Sequence, residues 1–513
     1  MKCKQFYILS FVLLYLSSLL YPLLVSSLCA VGHSAHKSIE ASCAAEPVRV
    51  GAVHCGSGFR KFNNSVSMAS LSFKVTRQPA ILVAPSVPTP KEILYLSNLD
   101  DQATLRFHIP VVQFYRSNLL KRNEDPAKVI KEALGKVLVH YYPFAGRLRD
   151  APGGKLELDC TGEGVLFVEA DADVALEQFG DLQPPFPEWD ELLHDVPGSQ
   201  SITNSPLLLI QVTRLRCGGF IFALRLNHTM ADGFGVVQLM AALGEVARGA
   251  ARPSVSPVWK RETLRPRLKP AVNVPLYEYD QLEGNIMPVD EMSHNSFFFG
   301  PREIASLKRQ AAAEGRVKCA TFEVLSACLW RLRTRALNLA PEQDVRFIFP
   351  LDIRSRLEPP LPQGYYGNAI SFTCAKTKAG LLLSKPLSFA VELINRAKTA
   401  VNDEYMRSVI DLMELKGRPS LTVMGAFCVS DVTKIRFGDL DFGWGKAVYG
   451  GPAKCDVEVV PPEFLTFLIS HRSRDGINGI LVPLCLPSAA MQKFQAEMSE
   501  AMEHSSQFLR SAL

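Results

Sequence analysis

His228-Thr229-Met230-Ala231-Asp232-Gly233 stands between two regular patterns. Upstream, residues 207–215 and 220–226 are apolar runs joined through Cys217-Gly218-Gly219, which predicts a β-hairpin. Downstream, Val236, Met240, Leu243 and Val246 or Ala247 recur at helical spacing and predict a helix over 236–246. The hexapeptide therefore sits where a strand ends and a helix begins, and His228 can face a cleft instead of a core. Gly233 and Gly235 are expected to supply tight backbone conformations at the turn.

A histidine placed this way suits general-base work, because its ordinary pKa lies near working pH. Asp232, four residues on, has two roles open to it. It can orient the imidazole, or it can fold away and pair with an arginine. The plain structural alternative is a buried histidine satisfied by backbone, with Asp232 as a helix N-cap. The sequence has no GxSxG elbow, HExxH helix, Walker A loop or GxGxxG fingerprint. No clustered His, Cys and carboxylate set suggests a metal site, so no metal is expected. Without an activated nucleophile, direct transfer is favoured: His228 deprotonates an acceptor, which attacks a bound activated acyl group.

The same alternation extends outward. Asp125-Pro126 is a helix-start pair opening a helix to about His140, with Val129, Ile130, Leu134, Val137 and Leu138 along its buried face. A further helix over 322–337 buries Val324, Leu325, Cys328, Leu329 and Leu332. Residues 346–350, 465–470 and 480–486 read as strands, and 491–509 as a closing helix. The stretch 249–275 is rich in Pro, Arg and Lys without a sustained apolar pattern, which marks the start of a crossover. The expectation is two α/β domains of similar size. At 513 residues with 47% apolar and 21% charged positions, the chain is long enough for such cores, and disorder, collagen and disulfide scaffolds are excluded.

A second island follows at Asp441-Phe442-Gly443-Trp444-Gly445, trailed by Lys446 and Gly450-Gly451-Pro452. Two glycines and two aromatics in five residues make a shaped loop, which Asp441 can brace through a salt bridge. HTMADG at 228–233 and DFGWG at 441–445, in this order and separation, resemble the BAHD acyltransferases of plants. The flanks Tyr141-Tyr142-Pro143-Phe144-Ala145-Gly146-Arg147-Leu148 and Leu351-Asp352-Ile353-Arg354-Ser355-Arg356 strengthen the resemblance, which spans 68–513. It implies an α/β fold of two chloramphenicol-acetyltransferase-like domains, each a mixed β-sheet with flanking helices, joined by a long crossover loop. The boundaries it suggests are 68–265, 266–290 for the crossover and 291–513. Donor and acceptor would enter a channel from opposite faces and meet at His228. By the same resemblance Asp232 points away from substrate into a structural salt bridge, with Arg354 as the candidate partner and Gly233 beside it. Asp441, Phe442, Gly443, Trp444 and Gly445 would shape the channel and coenzyme A side, with the Trp444 indole N–H as the suggested oxyanion donor.

The implied partners are an acyl-CoA co-substrate and a small alcohol, with no permanently bound cofactor and a monomeric state. Phe73-Lys74-Val75-Thr76-Arg77, Leu96-Ser97-Asn98-Leu99-Asp100 and Trp444-Gly445-Lys446-Ala447-Val448-Tyr449-Gly450-Gly451 resemble the alcohol acyltransferase group, including benzyl alcohol O-benzoyltransferases. Benzoyl or acetyl donors and benzyl or aliphatic alcohols follow from that resemblance. A hydroxycinnamoyl or amine N-acyltransferase and a catalytically silent ligand-binding relative remain the alternatives.

The formal charge is +5, of which residues 1–67 contribute +4 through Lys2, Lys4, Lys37, Arg49, Arg60 and Lys61 against Glu40 and Glu46. The remaining 446 residues are nearly neutral, so neither nucleic acid nor an anionic membrane surface is an expected partner. Lys2 and Lys4 precede a greasy run from 6 to 28, which reads as a signal peptide, a membrane anchor or an upstream extension outside the fold. Asn227-His228-Thr229 is a glycosylation sequon overlapping the chemical motif, and it weighs against secretion of the body. The expected location is cytoplasmic. Ser511-Ala512-Leu513 loosely resembles a peroxisomal address, and a secretory or membrane-anchored protein follows if 1–30 are genuine.

Overall fold

The computed structural model describes residues 71–510 apart from 194, 200, 281–290, 316–317 and 455–459; at 314–315 and 501–510 it describes backbone only. The expectations placed on 1–67, on the end of the crossover and on Ser511-Ala512-Leu513 lie outside the described residues.

The predicted hairpin is present as Leu208–Leu215 and Phe220–Asn227, paired antiparallel. Both strands are buried along almost their whole length, so they are central strands covered on both faces. They belong to a sheet in the order Val75–Arg77, Val165–Ala172, Leu208–Leu215, Phe220–Asn227, His108–Tyr115, Tyr449–Pro452, with Ile81–Val83 also paired to Val165–Ala172. Helices Pro126–His140 and Gly233–Ala247 pack side by side, the first also resting on Leu208–Leu215. Asp125 caps the first helix by accepting from the Ala127 N–H at 3.1 Å, and the same carboxylate takes Arg214 at 2.8 and 2.6 Å. Ile130, Leu134, Val137 and Leu138 are buried as the spacing requires.

A second, six-stranded mixed sheet runs Met292–Phe299, Asn478–Pro487, Leu465–Arg472, Ala426–Asp431, Asp344–Asp352, Ile370–Lys378. Helices Pro301–Gly315, Thr321–Ala336, Leu387–Ala400 and Ser488–Arg510 pack together against it. Val324, Leu325, Cys328, Leu329 and Leu332 are buried in Thr321–Ala336, again as the periodicity demands. A small sheet of Ile93–Tyr95, Lys155–Asp159 and Arg147–Ala151 completes the strand inventory of the described residues.

Two departures from the sequence reading are instructive. Strand Tyr449–Pro452, late in the chain, pairs with His108–Tyr115 and finishes the first sheet. The division between sheets is therefore not the division at residue 291. Four residues reading Tyr-Gly-Gly-Pro have no alternation to announce a strand, and their partner lies more than 330 positions away. The second departure concerns Gly233 and Gly235, which lie inside the helix at its first turn, not in a turn before it. A Cβ on Gly235 would stand 2.0 Å from the Tyr366 carbonyl oxygen. Close approach of the second half of the chain, not an unusual backbone angle, is what requires glycine there. Among the described residues no helix is long and apolar enough to cross a membrane.

Candidate active site

Strand Phe220–Asn227 delivers His228 just past its last residue, where the His228 N–H still donates to the Phe107 carbonyl at 2.9 Å. The imidazole is buried and lies against the Phe107 ring, centroids 5.4 Å apart. Its Nδ1 is enclosed without a hydrogen-bond partner. Burial pushes the imidazole pKa below its ordinary 6.5, opposed by the main-chain carbonyl of His228 itself, Asp232, Asn368 and Asp100. Burial thus favours the neutral ring, the form a base requires.

Asp232 resolves the choice left open by its spacing from His228. Its Oδ1 accepts from the Gly235 N–H at 3.0 Å, which makes it the N-cap of helix Gly233–Ala247. Arg354 donates to both carboxylate oxygens at 2.9 Å, Nη2 to Oδ1 and Nη1 to Oδ2, in a bidentate pair. The Ala369 N–H donates to Oδ2 at 2.9 Å. Arg354 also binds Asp352 Oδ1 at 2.9 Å and the Gly367 carbonyl at 2.9 Å. With four donors on its two oxygens and 1% of its side chain exposed, Asp232 is a structural anchor that ties the helix start to the second half of the chain. It makes no hydrogen bond to the His228 ring.

The sequence did not single out the group on the other side of the loop. Asp100 is wholly buried. Its Oδ2 accepts from Ser97 N–H at 3.1 Å and Ser97 Oγ at 2.6 Å and faces Arg261 Nε at 3.1 Å. Its Oδ1 accepts from Asn368 N–H at 2.9 Å and Asn368 Nδ2 at 3.1 Å. Asn368 Nδ2 also donates to the His228 carbonyl at 2.8 Å, and Arg261 Nη2 to the Met230 carbonyl at 2.8 Å. Arg261 is itself fully buried, its guanidinium carbon 4.2 Å from the Trp259 ring and 5.1 and 5.0 Å from the Tyr365 and Tyr366 rings. Gly367 leaves room for it, since a Cβ there would overlap the guanidinium.

The second predicted island lies elsewhere. Trp444 packs edge-on to Phe220, centroids 5.4 Å apart, and Phe442 packs on Phe222 at 4.8 Å. Phe220 opens the strand that His228 follows, so at roughly 3.3 Å per residue the backbone at Phe220 is about 25 Å from that at His228, and Trp444 packs at the far end. The Trp444 indole is too distant to serve as its oxyanion donor, which corrects that expectation. Nor does Asp441 brace its loop by an ion pair among the described residues. Its Oδ1 accepts from the Gly443 and Gly445 N–H groups at 2.7 and 2.9 Å, with both glycines at φ near +100°. Arg248 holds the Asp441 carbonyl, and Lys121 lies over the Trp444 ring at 5.7 Å. The loop bolts the late chain to the first sheet just before strand Tyr449–Pro452.

The Asn227 amide of the sequon is also accounted for. Asn227 and Thr229 are both fully buried, and Asn227 Oδ1 accepts from Thr229 Oγ1 at 2.7 Å. No group of three or more His, Cys, Asp or Glu side chains converges among the described residues.

A family model described as the Transferase family matches residues 73–501. The chain is 56% identical over 439 residues to the benzyl alcohol O-benzoyltransferase of Nicotiana tabacum, covering 85% of this chain and 95% of that one. Among solved structures, vinorine synthase superposes with a TM-score of 0.65 at 23% identity, covering 82% of this chain and 96% of its own. TRI101 of F. sporotrichioides, crystallised with coenzyme A and T-2, superposes at 0.59 with 17% identity, covering 79% and 97%.

Proposed function

The chain belongs to the Transferase family, the BAHD acyltransferases, and from that premise we propose that it moves an acyl group from coenzyme A to the hydroxyl of a small alcohol with His228 as general base. The observation that carries this reading is the placement of His228: buried just past the end of its strand, with the aspartate four residues on turned away to Arg354 and the Ala369 N–H. The benzyl alcohol O-benzoyltransferase relative supports an alcohol acceptor and a benzoyl donor, with acetyl donors and aliphatic alcohols within the same class. The coenzyme A complex of a neighbour with this fold supports the thioester donor.

In this reaction Nε2 of His228 takes the hydroxyl proton as the alcohol oxygen attacks the thioester carbonyl carbon. The new C–O bond gives a tetrahedral oxyanion, which collapses as the C–S bond breaks. His228 returns its proton to the departing thiolate, so the products are ester and free coenzyme A, and the base is regenerated. General-base action contributes about 10²–10⁴-fold, and alignment of the two substrates supplies much of the rest. Asp232 and Arg354 hold the helix that starts beside the base and take no proton.

The test is to incubate the full chain with benzoyl- and acetyl-CoA against benzyl and aliphatic alcohols, following free thiol and ester together. Equimolar thiol and ester, formed only when alcohol is present, is the expected result. Absence of ester with every donor–alcohol pair, or thiol release independent of alcohol, would contradict it. The rate should also fall on the acid side with an apparent pKa below 6.5, because burial disfavours the charged imidazole.

A further inference from the structure

Asp100 and Asn368 are 268 residues apart in the chain and are both fully buried beside the His228 loop. A carboxylate taken out of water costs several kcal/mol unless its lone pairs are filled. Those of Asp100 are filled by Ser97 and the main-chain and side-chain N–H groups of Asn368, and the charge is balanced by the Arg261 guanidinium 3.1 Å away. The amide orientation is determined by its neighbours. Asn368 Nδ2 faces two acceptors, the Asp100 carboxylate and the His228 carbonyl, and only the NH₂ end can satisfy both. Arg261 does the same for Met230, two residues on. One buried carboxylate thus fixes two donors, and each donor holds a carbonyl of the loop that carries the base.

We propose that Asp100 and Asn368 act together as positioning residues for His228: the carboxylate fixes the amide, and the amide holds the His228 main chain so that its ring meets the bound substrates in register. This rests on the reading of His228 as general base. A peptide rotation at His228 would swing its Cβ and ring, and a displacement of about 1 Å in a reacting group costs on the order of 10²-fold in rate. The charges around the ring are Asp100 and Asp232, set against Arg261 and Arg354. Asp100 acts in the direction that favours the protonated ring.

The experiment compares the full chain with Asn368→Ala, Asp100→Asn, the exchanged pair Asp100→Asn/Asn368→Asp, and His228→Ala. It measures kcat, KM for both substrates, the thermal midpoint and the His228 ring titration by NMR. Asn368→Ala should lower kcat by about 10²-fold with each KM within about threefold. Asp100→Asn should lower kcat with each KM little changed, because an uncharged amide at 100 fixes the Asn368 NH₂ end less firmly; losing the nearby charge should also move the ring titration to lower pH. The exchanged pair should recover thermal midpoint relative to the single variants. Its kcat should stay low, because a carboxylate at 368 cannot donate to the His228 carbonyl. Recovery of kcat along with midpoint would overturn the proposal and leave the pair a packing element. An unchanged kcat in Asn368→Ala would also overturn it; should that variant fail to fold, an unchanged kcat in Asp100→Asn does the same. An inactive wild-type chain, or an active His228→Ala variant, would instead overturn the reading of the reaction.

Discussion

The HTMADG and DFGWG loops identify the chain together, yet they occupy opposite ends of one strand. His228 follows the end of Phe220–Asn227, while Trp444 packs on Phe220 at its start. Each loop is organised by an aspartate. Asp232 takes two backbone N–H groups and a bidentate arginine and joins the helix beside the base to the second half of the chain. Asp441 takes two glycine N–H groups and shapes a loop that anchors strand Tyr449–Pro452 on the first sheet. The difference teaches that two sequence signatures recurring together need not meet in space. One loop carries the proposed base, and the other anchors a late strand on the first sheet.

That contrast can be broken or sharpened by substitution. Asp232→Ala removes the anchor of a buried charge pair and should cost about 3–5 kcal/mol, read as a lower denaturant midpoint, along with most of the activity. A stable, fully active variant would show that the anchor is dispensable. Asp441→Ala leaves two loop N–H groups unpaired and should cost about 1–3 kcal/mol, while the rate per folded molecule stays within about twofold. A hundredfold fall in rate at full folding would bring the second loop into the chemistry after all. Trp444→Phe should be the mildest, about 1–2 kcal/mol with unchanged kcat, since it keeps an aromatic ring against Phe220 while losing the indole N–H and part of the ring volume. Loss of kcat there would restore Trp444 as an oxyanion donor.

What the sequence disclosed was local. The hairpin, the Asp125 cap and the helix over 126–140 follow from residues within one or two turns of each other, so periodicity and cap chemistry suffice. His228 was legible because a strand and a helix frame it. The partner of Asp232 came from resemblance in the DIRSR run, since no spacing rule relates residues 232 and 354. The Asp100, Arg261 and Asn368 group escaped notice because each is an ordinary polar residue until the fold buries it. The Leu-Ser-Asn-Leu-Asp run that contains Asp100 was visible, but an aspartate after four uncharged residues carries no signal of burial. Gly235 and Gly367 were likewise unreadable in their real role, which is to let Tyr366 and Arg261 come close from other parts of the chain.

The central claim is that His228 is the base of an acyl transfer to alcohol. It is tested most directly by alcohol-dependent thiol release from benzoyl-CoA, comparing the full chain with His228→Ala under saturating benzyl alcohol. The account predicts that the variant folds with an unchanged far-ultraviolet spectrum and loses at least about 10²-fold in kcat. A folded His228→Ala protein that releases thiol and forms ester within a few-fold of the parent would contradict it.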